Sequence, residues 1–510
     1  MIRRNGPQAW KNIHVTEKTQ IEDLVDIDNA ASGNVQPTGF ALLKQASPEI
    51  DALIQSARQS GKRIRALGSG WALTDIAITD GWLINMKMLN GCFDMSNRYF
   101  EQTYPAEKRP YVVVAQCGIS IGELNIHLEV TAPAGFRRAL KTAGIGAGQT
   151  IAGAISGSTH GSAVNFGAIQ DFVVGLQLVT GSGKSIWIER ASYPVLNDEF
   201  VSNLDARRIR DDDVFNAALV SFGAFGIITA VALETDPIYQ LRFPPVRDIA
   251  HDALKRKLNN FDSNDPNGLY HYEFVFDPYS KNKIAMEMSA TKVNFEPGHP
   301  APKPVWIVRS ENGFAPGDKT PGWFFWLPLL TPGQKTALQF KQYRRLNILG
   351  DVRATPGQLF TATITYLEGY TESALGISIN DAAKMIDIST NVIKQMKLPA
   401  ISQVRLVHPS PALLGFTILG PKTAVFEFGL RNDSKFKLFE ENITRELASA
   451  DVAHTFHWSK NSGIDSQRLV TMYGEARVEK WREARKQIFN NDSSLMRVFD
   501  NAHLIRAGLT

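Results

Sequence analysis

Two glycine-rich segments, residues 65–75 (RALGSGWALTD) and 144–162 (GIGAGQTIAGAISGSTHGS), constrain this chain more than any other feature. Glycine lets the backbone turn with positive φ and lets its N–H groups approach a ligand closely. Consecutive exposed N–H groups form a concave anion site of the kind that holds phosphate. Two such loops about eighty residues apart suit the two phosphates of one dinucleotide, held from opposite sides. Neither is the single-strand dinucleotide fingerprint, because Gly68-Ser69-Gly70 is not followed by a third glycine opening a helix. The expected cradle is therefore of a different build.

At 510 residues the chain is too long for one simple core, and two or three domains are expected. The formal net charge of +4 is small for this size and gives no argument for nucleic-acid binding. Cys92 and Cys117 are the only cysteines, too few for a disulfide framework and without the His spacing of a metal site. Both sit in apolar contexts and are read as core thiols. The first residues, MIRRNGPQAW, contain no apolar run of a secretory signal. The apolar stretch 323–330 is short and interrupted by Pro328, so no membrane span is expected. The cytoplasm is the expected location, and a homo-oligomer stays open.

Helical spacing appears over 48–61, with Ile50, Leu53, Ile54 and Ala57 on one face and a closing glycine. Strands are expected over 63–67, 82–84 and 111–116, a short helix over 120–129, and a β-hairpin from 171–180 and 185–189. This α+β half ends near Pro237. Beyond Ile238 come the strands 269–277, 284–289, 403–407 and 424–430, with helices at about 379–397 and 435–450. A last helix over 475–489 aligns Trp481, Ala484 and Ile488. The expected division is 1–237, 238–450 with sheet and helices together, and 451–510. Residues 296–333, with eight prolines and Trp306, Trp323, Phe324, Phe325 and Trp326, fit no regular element. A long aromatic-rich insertion of this kind is expected to be a lid over substrate, a dimer contact or a filling of the cap core.

With these segments in this order, the chain resembles the vanillyl-alcohol-oxidase, or p-cresol-methylhydroxylase type, FAD-binding flavoprotein family. The matches are IRALGSGWAL at 64–73, GSTHGS at 157–162, SFGAFGIIT at 221–229 and FHWSK at 456–460. The last is similar to the HWGK motif of the alditol and aldonolactone oxidases, which makes that branch the nearest. The resemblance implies a two-subdomain FAD-binding domain over 1–237, an α+β cap domain with a large antiparallel sheet over 238–450, and a C-terminal segment, 451–510, that returns to the FAD-binding domain. It implies cofactor contacts from Leu67, Gly68, Ser69, Gly70, Trp71, Gln149, Thr150, Gly153, Ser156, Gly157, Thr159, His160, Gly226 and Ile227. Family members usually offer a histidine in the first loop for covalent attachment to the flavin. Trp71 stands there and no cysteine is available in the second loop, so FAD is expected without a covalent bond. Whether Trp71 packs on the cofactor or only in the core stays open, as does a direct chemical role for His160.

On the strand SQVRLV, alternation puts Gln403 and Arg405 on one face. The strand resembles the E-x-R strand that aldonolactone and alditol oxidases aim at the flavin. Arginine stays charged and stabilises oxygen charge as a hydroxyl loses its proton. Glutamine at 403 departs from the pattern and cannot serve as a base, and Arg405 paired only with a surface acid is the bland alternative. Lys460 resembles the family's lysine near the flavin, placed to stabilise negative charge arriving on the ring. His408 and Glu427 are the remaining candidates for proton acceptor. The resemblance implies an FAD-dependent oxidoreductase that takes a hydride from a CH–OH group (alcohol, sugar or lactone type) of a small molecule, and the aromatic residues of 296–333 point to a substrate with a bulky or apolar part. In the aldonolactone branch a small residue just before the second loop leaves room for oxygen near the flavin, and Ala143-Gly144 stands about there, so the resemblance favours O2 as acceptor over another oxidant. Oxidation at a C–N or C–C bond in natural-product metabolism, and a redox-inactive flavin-binding subunit, are the competing readings. No metal is expected.

Overall fold

The computed structural model describes residues 2–29, 39–261, 268–299, 309–310, 313–314, 330–346, 351–360, 370–431, 433–460 and 462–510. Most of the expected insertion, including its five named aromatic residues, lies outside the described residues. The architecture is mixed α+β, with three main sheets. A four-stranded sheet runs in the order Ile2–Arg4, Asp23–Asp28, Trp82–Met88, Ile64–Leu67, and the last three strands are parallel. A six-stranded sheet runs in the order Ala206–Arg210, Ser185–Glu189, Val173–Val179, Ile227–Glu234, Val112–Gln116, Cys92–Asp94.

The helix against these sheets starts earlier than its sequence pattern suggests. It spans Phe40–Gln59 and contains Pro48, which was expected at its start. The apolar stripe explains the difference: Leu43, Ala46, Ile50, Leu53, Ile54 and Ala57 are all buried, so the packed face continues through the proline. Pro48 itself faces solvent, where its missing N–H is best tolerated. The segment SFGAFGIIT also divides: residues 221–226 make a turn, and the strand begins only at Ile227. Gly226 enables that turn, with φ of 107° and no room for a Cβ against the Val179 carbonyl. Cys117 is buried and Cys92 half-buried, and burial pushes both thiols up to about 12.

The second half is a nine-stranded antiparallel sheet. Its centre holds Ile284–Asn294, Leu269–Phe276, Ser402–Val407, Thr423–Arg431 and Tyr370–Ser378, side by side. Period-two alternation splits these strands into two faces. Phe274, Val404, Phe426, Phe428, Leu375 and Ile377 point one way and are fully buried. The helices His251–Asn259, Ile379–Gln395 and Ser434–Ser449 lie against the sheet, and each buries an apolar stripe. The other face carries Glu273, Gln403, Arg405 and Glu427, matched in register as Glu273 opposite Arg405 and Gln403 opposite Glu427. Glu372 lies two residues from Ala374, the partner of Glu427. One sheet thus separates an apolar helix-covered side from a charged side.

The C-terminal helices Ser466–Tyr473, Glu475–Ile488, Ser493–Val498 and Ala502–Arg506 pack back on the first half. Trp481 donates to the Val220 carbonyl, and Asn501 donates to the carbonyls of Ile76 and Ile78. Arg485, 3% exposed, donates to the carbonyls of Ala224, Leu509 and Met496 and pairs with Asp500 at 2.7 Å. Replacing one partner of such a buried pair leaves an uncompensated charge, which typically costs about 3–5 kcal/mol. Arg485→Ala is therefore expected to lower the denaturant midpoint strongly, measured by urea unfolding. A midpoint within error of the parent would show that these bonds do not fasten the C-terminal segment.

Candidate active site

Three separate stretches of chain converge at the glycine loops. A Cβ on Gly68 would collide with Thr150 Oγ1, so the first loop lies directly on the second. A Cβ on Gly148 would come within 3.0 Å of the Trp71 ring, and one on Gly157 would collide with Ser459 Oγ. The turn after the strand His454–Phe456 binds the first loop as well. Leu73 N–H donates to the Ser459 carbonyl at 2.8 Å, and the Thr74 hydroxyl donates to the Trp458 carbonyl at 3.1 Å. Trp458 is fully buried, and its indole N–H donates to the Leu414 carbonyl at 2.8 Å. The sequence FHWSK is thus one strand residue followed by a turn, with tryptophan as its anchor.

The first loop presents the row of donors that an anion site requires. The amide N–H groups of Ser69, Gly70, Trp71 and Ala72 donate to no acceptor among the described residues, although the loop is half-buried. Burying unpaired backbone donors is costly, and a row of them is a phosphate-type site. Ser69, Gly70, Trp71, Gln149, Ser156 and Thr159 keep accessible surface between buried neighbours. The residues present therefore fit a dinucleotide pyrophosphate.

Beside this cradle stands a buried ion network. Glu427 is 7% exposed. Lys460 Nζ is 2.5 Å from its Oε1, and Arg405 Nη2 is 3.2 Å from its Oε2. Lys460 also reaches Glu372 at 2.8 Å, and Arg405 reaches Glu273 at 3.6 Å. Beyond Glu273, His271 Nε2 lies 3.5 Å from its carboxylate. His160, from the second glycine loop, places Nε2 3.8 Å from Glu427 and Nδ1 3.0 Å from the Gly161 carbonyl. Three carboxylates thus face two permanent cations, and the network touches the glycine loops directly.

Burial works against the charge on Glu427, but Arg405 and Lys460 outweigh it and hold the carboxyl well below its usual range. Glu273 is likewise lowered despite its burial, through the His271 hydrogen bond and Arg405. The acids in turn raise Arg405 and Lys460 against their own desolvation. Burial dominates at His160, pushed down to about 4, and at His457, which is pushed well below its ordinary value. Both rings are neutral at physiological pH. Tyr343, on the helix Pro332–Leu346, hydrogen-bonds with Gln403 and is raised well above its ordinary value by burial and by Glu273.

Of the residues singled out in the sequence, Gln403, Arg405, Glu427, Lys460 and His160 come together. The acid that pairs with Arg405 is buried, not on the surface. His408 does not join them: it is exposed, and its ring bonds to the neighbouring Pro409 carbonyl. Sequence reasoning missed Glu273, His271, Glu372 and Tyr343. The first two carried a readable signal, since His271 and Glu273 stand two apart in the strand LYHYEFVF and so share a face. Glu372 and Tyr343 carried none. Among the described residues no cluster of metal-ligating side chains occurs, and no helix is long and apolar enough to cross a membrane.

A cradle of free amides beside buried charges fits a cofactor site, and comparison with known proteins points to FAD. The family model described as FAD binding domain matches residues 42–189, which include both glycine loops. The chain carries an FAD binding domain, as the resemblance implied. It is similar to an L-gulono-1,4-lactone dehydrogenase of Mycobacterium tuberculosis, at 29% identity over 54% of this chain and 52% of that protein. It is also similar to a D-arabinono-1,4-lactone oxidase of Candida albicans, at 30% identity over 38% of this chain and 31% of the relative. The chain spans about half the length, or less, of the curated relatives it matches. Among solved structures, a cholesterol oxidase from Brevibacterium sterolicum shares the fold, with a TM-score of 0.68 at 15% identity, covering 99% of this chain and 97% of that one.

Neutral, buried His160 ties stability to pH. Its folded value of about 4 lies below the value near 6.5 of an unfolded chain. Between those values the unfolded chain binds a proton that the fold refuses, so stability falls as pH drops from about 6.5 to 4. His160→Gln is expected to flatten that part of the stability–pH curve, followed by urea unfolding at several pH values. An unchanged slope would place the ring's neutrality elsewhere.

Proposed function

We propose that this protein is an FAD-dependent oxidoreductase that oxidises a CH–OH group to a carbonyl, with dioxygen as its preferred acceptor. The observation that carries the reading is the buried network of Arg405, Glu427 and Lys460, joined to the second glycine loop through His160. A module that only binds FAD has no need to bury five charges beside the cofactor's loops, at a desolvation cost of several kcal/mol per ion. Bound FAD would supply the electron sink, for the substrate's hydride and for the two-electron reduction of dioxygen to hydrogen peroxide. In this reading Gly68, Ser69, Gly70 and Trp71 hold its pyrophosphate together with Gln149 and Thr150. Thr159 and His160 line the ring side, and Gly226 and Ile227 the adenine end. With Trp71 at the linking position, attachment is non-covalent.

The substrate hydroxyl loses a proton as its carbon loses hydride, and the proton needs an acceptor. Glu427 is engaged by two cations at hydrogen-bond distance. Glu273 is ionised but held more loosely, at 3.6 Å from Arg405 and 3.5 Å from His271. Glu273 is therefore the proton acceptor in this reading, and His271 beside it shares the charge. Arg405 stabilises the oxygen as it becomes alkoxide-like, and Lys460 fixes Glu427 and the positive end of the network. Aromatic rings surround His271: Phe243 at 5.1 Å and Phe360 at 6.3 Å. They favour a substrate with an apolar body behind its hydroxyl. The relatives' names, lactone oxidases and dehydrogenases, and the cholesterol oxidase fold both support alcohol-type donors.

A screen of alcohols, lactones and sterols that follows flavin bleaching and peroxide release in parallel tests the reading. With a genuine substrate, Arg405→Ala is expected to slow flavin reduction roughly 100- to 1000-fold while FAD content is unchanged. Glu273→Gln is expected to lower kcat/KM about 100- to 10,000-fold and to remove the acid limb of its pH profile. Wild-type rates in both variants would move the chemistry off this sheet face. Reoxidation by air over many minutes, with rapid turnover on a dye, would make the protein a dehydrogenase. Acid precipitation is expected to leave FAD in the supernatant, and a yellow pellet would show a covalent bond.

A further inference from the structure

One element that the site does not absorb is the hairpin of Gln8–Lys11 and Lys18–Ile21, which pairs antiparallel and turns over the first glycine loop. Its connection, residues 12–17, is more ordered than an exposed loop needs to be. Asn12 is 3% exposed and His14 1% exposed. Asn12 Oδ1 accepts from Glu17 N–H at 3.1 Å, and Val15 N–H donates to the Asn12 carbonyl at 3.1 Å. Val15 adopts φ of 58°, an unusual conformation for a β-branched residue that the surrounding bonds must enforce.

The contacts of this turn fall on the carbonyl side of the glycine loop. Ile13 N–H donates to the Gly70 carbonyl at 3.0 Å. Asn12 Nδ2 donates to the Ala72 carbonyl at 2.8 Å, and the Thr16 hydroxyl to the Leu73 carbonyl at 3.1 Å. The His14 ring meets Trp71 edge-on with centroids 5.6 Å apart. A Cβ on Gly70 would sit 3.5 Å from the Trp10 ring. Within a trans peptide the C=O and N–H point in opposite directions. Tying down the Gly70 carbonyl therefore turns the Trp71 N–H away from the hairpin, to the side where the amides of Ser69–Ala72 find no protein acceptor.

From this geometry we infer that the hairpin of residues 8–21 is a strap of the cofactor site, with Asn12 and Thr16 as positioning residues that set the loop's amides for the FAD pyrophosphate. The inference rests on assigning that loop to the cofactor. The strap contributes pre-organisation: without it the loop's ordering has to come out of the binding energy. Asn12 joins turn and loop, because Oδ1 shapes the turn while Nδ2 holds the Ala72 carbonyl and donates to the Thr16 hydroxyl at 2.7 Å.

The test titrates FAD into apoprotein and follows quenching of flavin fluorescence. Asn12→Asp keeps the acceptor for Glu17 N–H and removes the donor to Ala72, and Thr16→Val removes the hydroxyl without adding charge. Asn12→Asp is expected to weaken FAD binding about 10- to 100-fold, and Thr16→Val roughly 2- to 10-fold. Apoprotein melting is expected to be unchanged in Thr16→Val and lowered in Asn12→Asp, whose carboxylate is buried against the Ala72 carbonyl, and exposed Gln20→Ala is expected to bind FAD normally. Gly68→Val serves as reference, since its side chain collides with Thr150. If Gly68→Val loses FAD while both strap variants bind normally, the strap is refuted and the cradle stands. If Gly68→Val also binds normally, the loop is not the cradle. Loss of apoprotein stability in Thr16→Val in step with its loss of FAD affinity would assign the hairpin to folding alone and overturn the inference.

Discussion

The rest of the site depends on the ionised carboxylate of Glu427, buried in the middle of a sheet. A lone charge there would be prohibitively unstable, so the fold must bring cations to it. Arg405 arrives from the adjacent strand, fixed by sheet register, and Lys460 from the turn after His454–Phe456. The second glycine loop contributes the ring of His160. The glycine loop is far in sequence from the two neighbouring strands and the turn that follows them. Once assembled, the network is costly to disassemble, since removing any one charge strands its partners. That gives the charged face a fixed geometry, a requirement for stabilising a charge that develops only during reaction.

The two faces of the cap sheet show how one alternating pattern serves both stability and chemistry. Phe274, Val404, Phe426 and Leu375 bury their side chains on the helix-covered side. Their immediate neighbours Glu273, Arg405, Glu427 and, across Ala374, Glu372 lie on the other. A slip of one residue in any of these strands would put a charge among the phenylalanines and an aromatic ring in the ion network. The hydrophobic core therefore enforces the register that catalysis needs.

The glycine loops, their order and the strand bearing Gln403 and Arg405 were legible in the sequence because each follows a local rule: positive φ and close approach for glycine, period two for strands. Partners that arise from register were harder. Glu273 meets Arg405 only because Leu269–Phe276 pairs with Ser402–Val407 in one register, and nothing in either strand names the other. Glu372 reaches Lys460 through a strand and a turn that meet only in the folded sheet. The start of the long helix was misplaced at Pro48 because proline reads as a boundary, whereas the buried stripe overrides it. The N-terminal hairpin was invisible for another reason. Its strands QAWK and KTQI are polar and short, and their order comes from the hydrogen bonds of one buried asparagine.

Ser459 shows why cofactor placement and charge placement are one mechanical problem here. Its carbonyl accepts the Leu73 N–H of the first glycine loop, and its side chain occupies the space where Gly157 of the second loop would carry a Cβ. The next residue is Lys460, the cation that holds Glu427 and Glu372. Trp458, on the other side, anchors the same turn through a fully buried indole. This one turn therefore touches both loops and the ion network, and displacing it would disturb all three together. The hairpin at residues 8–21 presses on the opposite side of the first loop, so that the loop lies between two fixed surfaces. A site whose chemistry depends on the distance between a bound cofactor and a set of buried charges is best built this way, with one short turn bound to both.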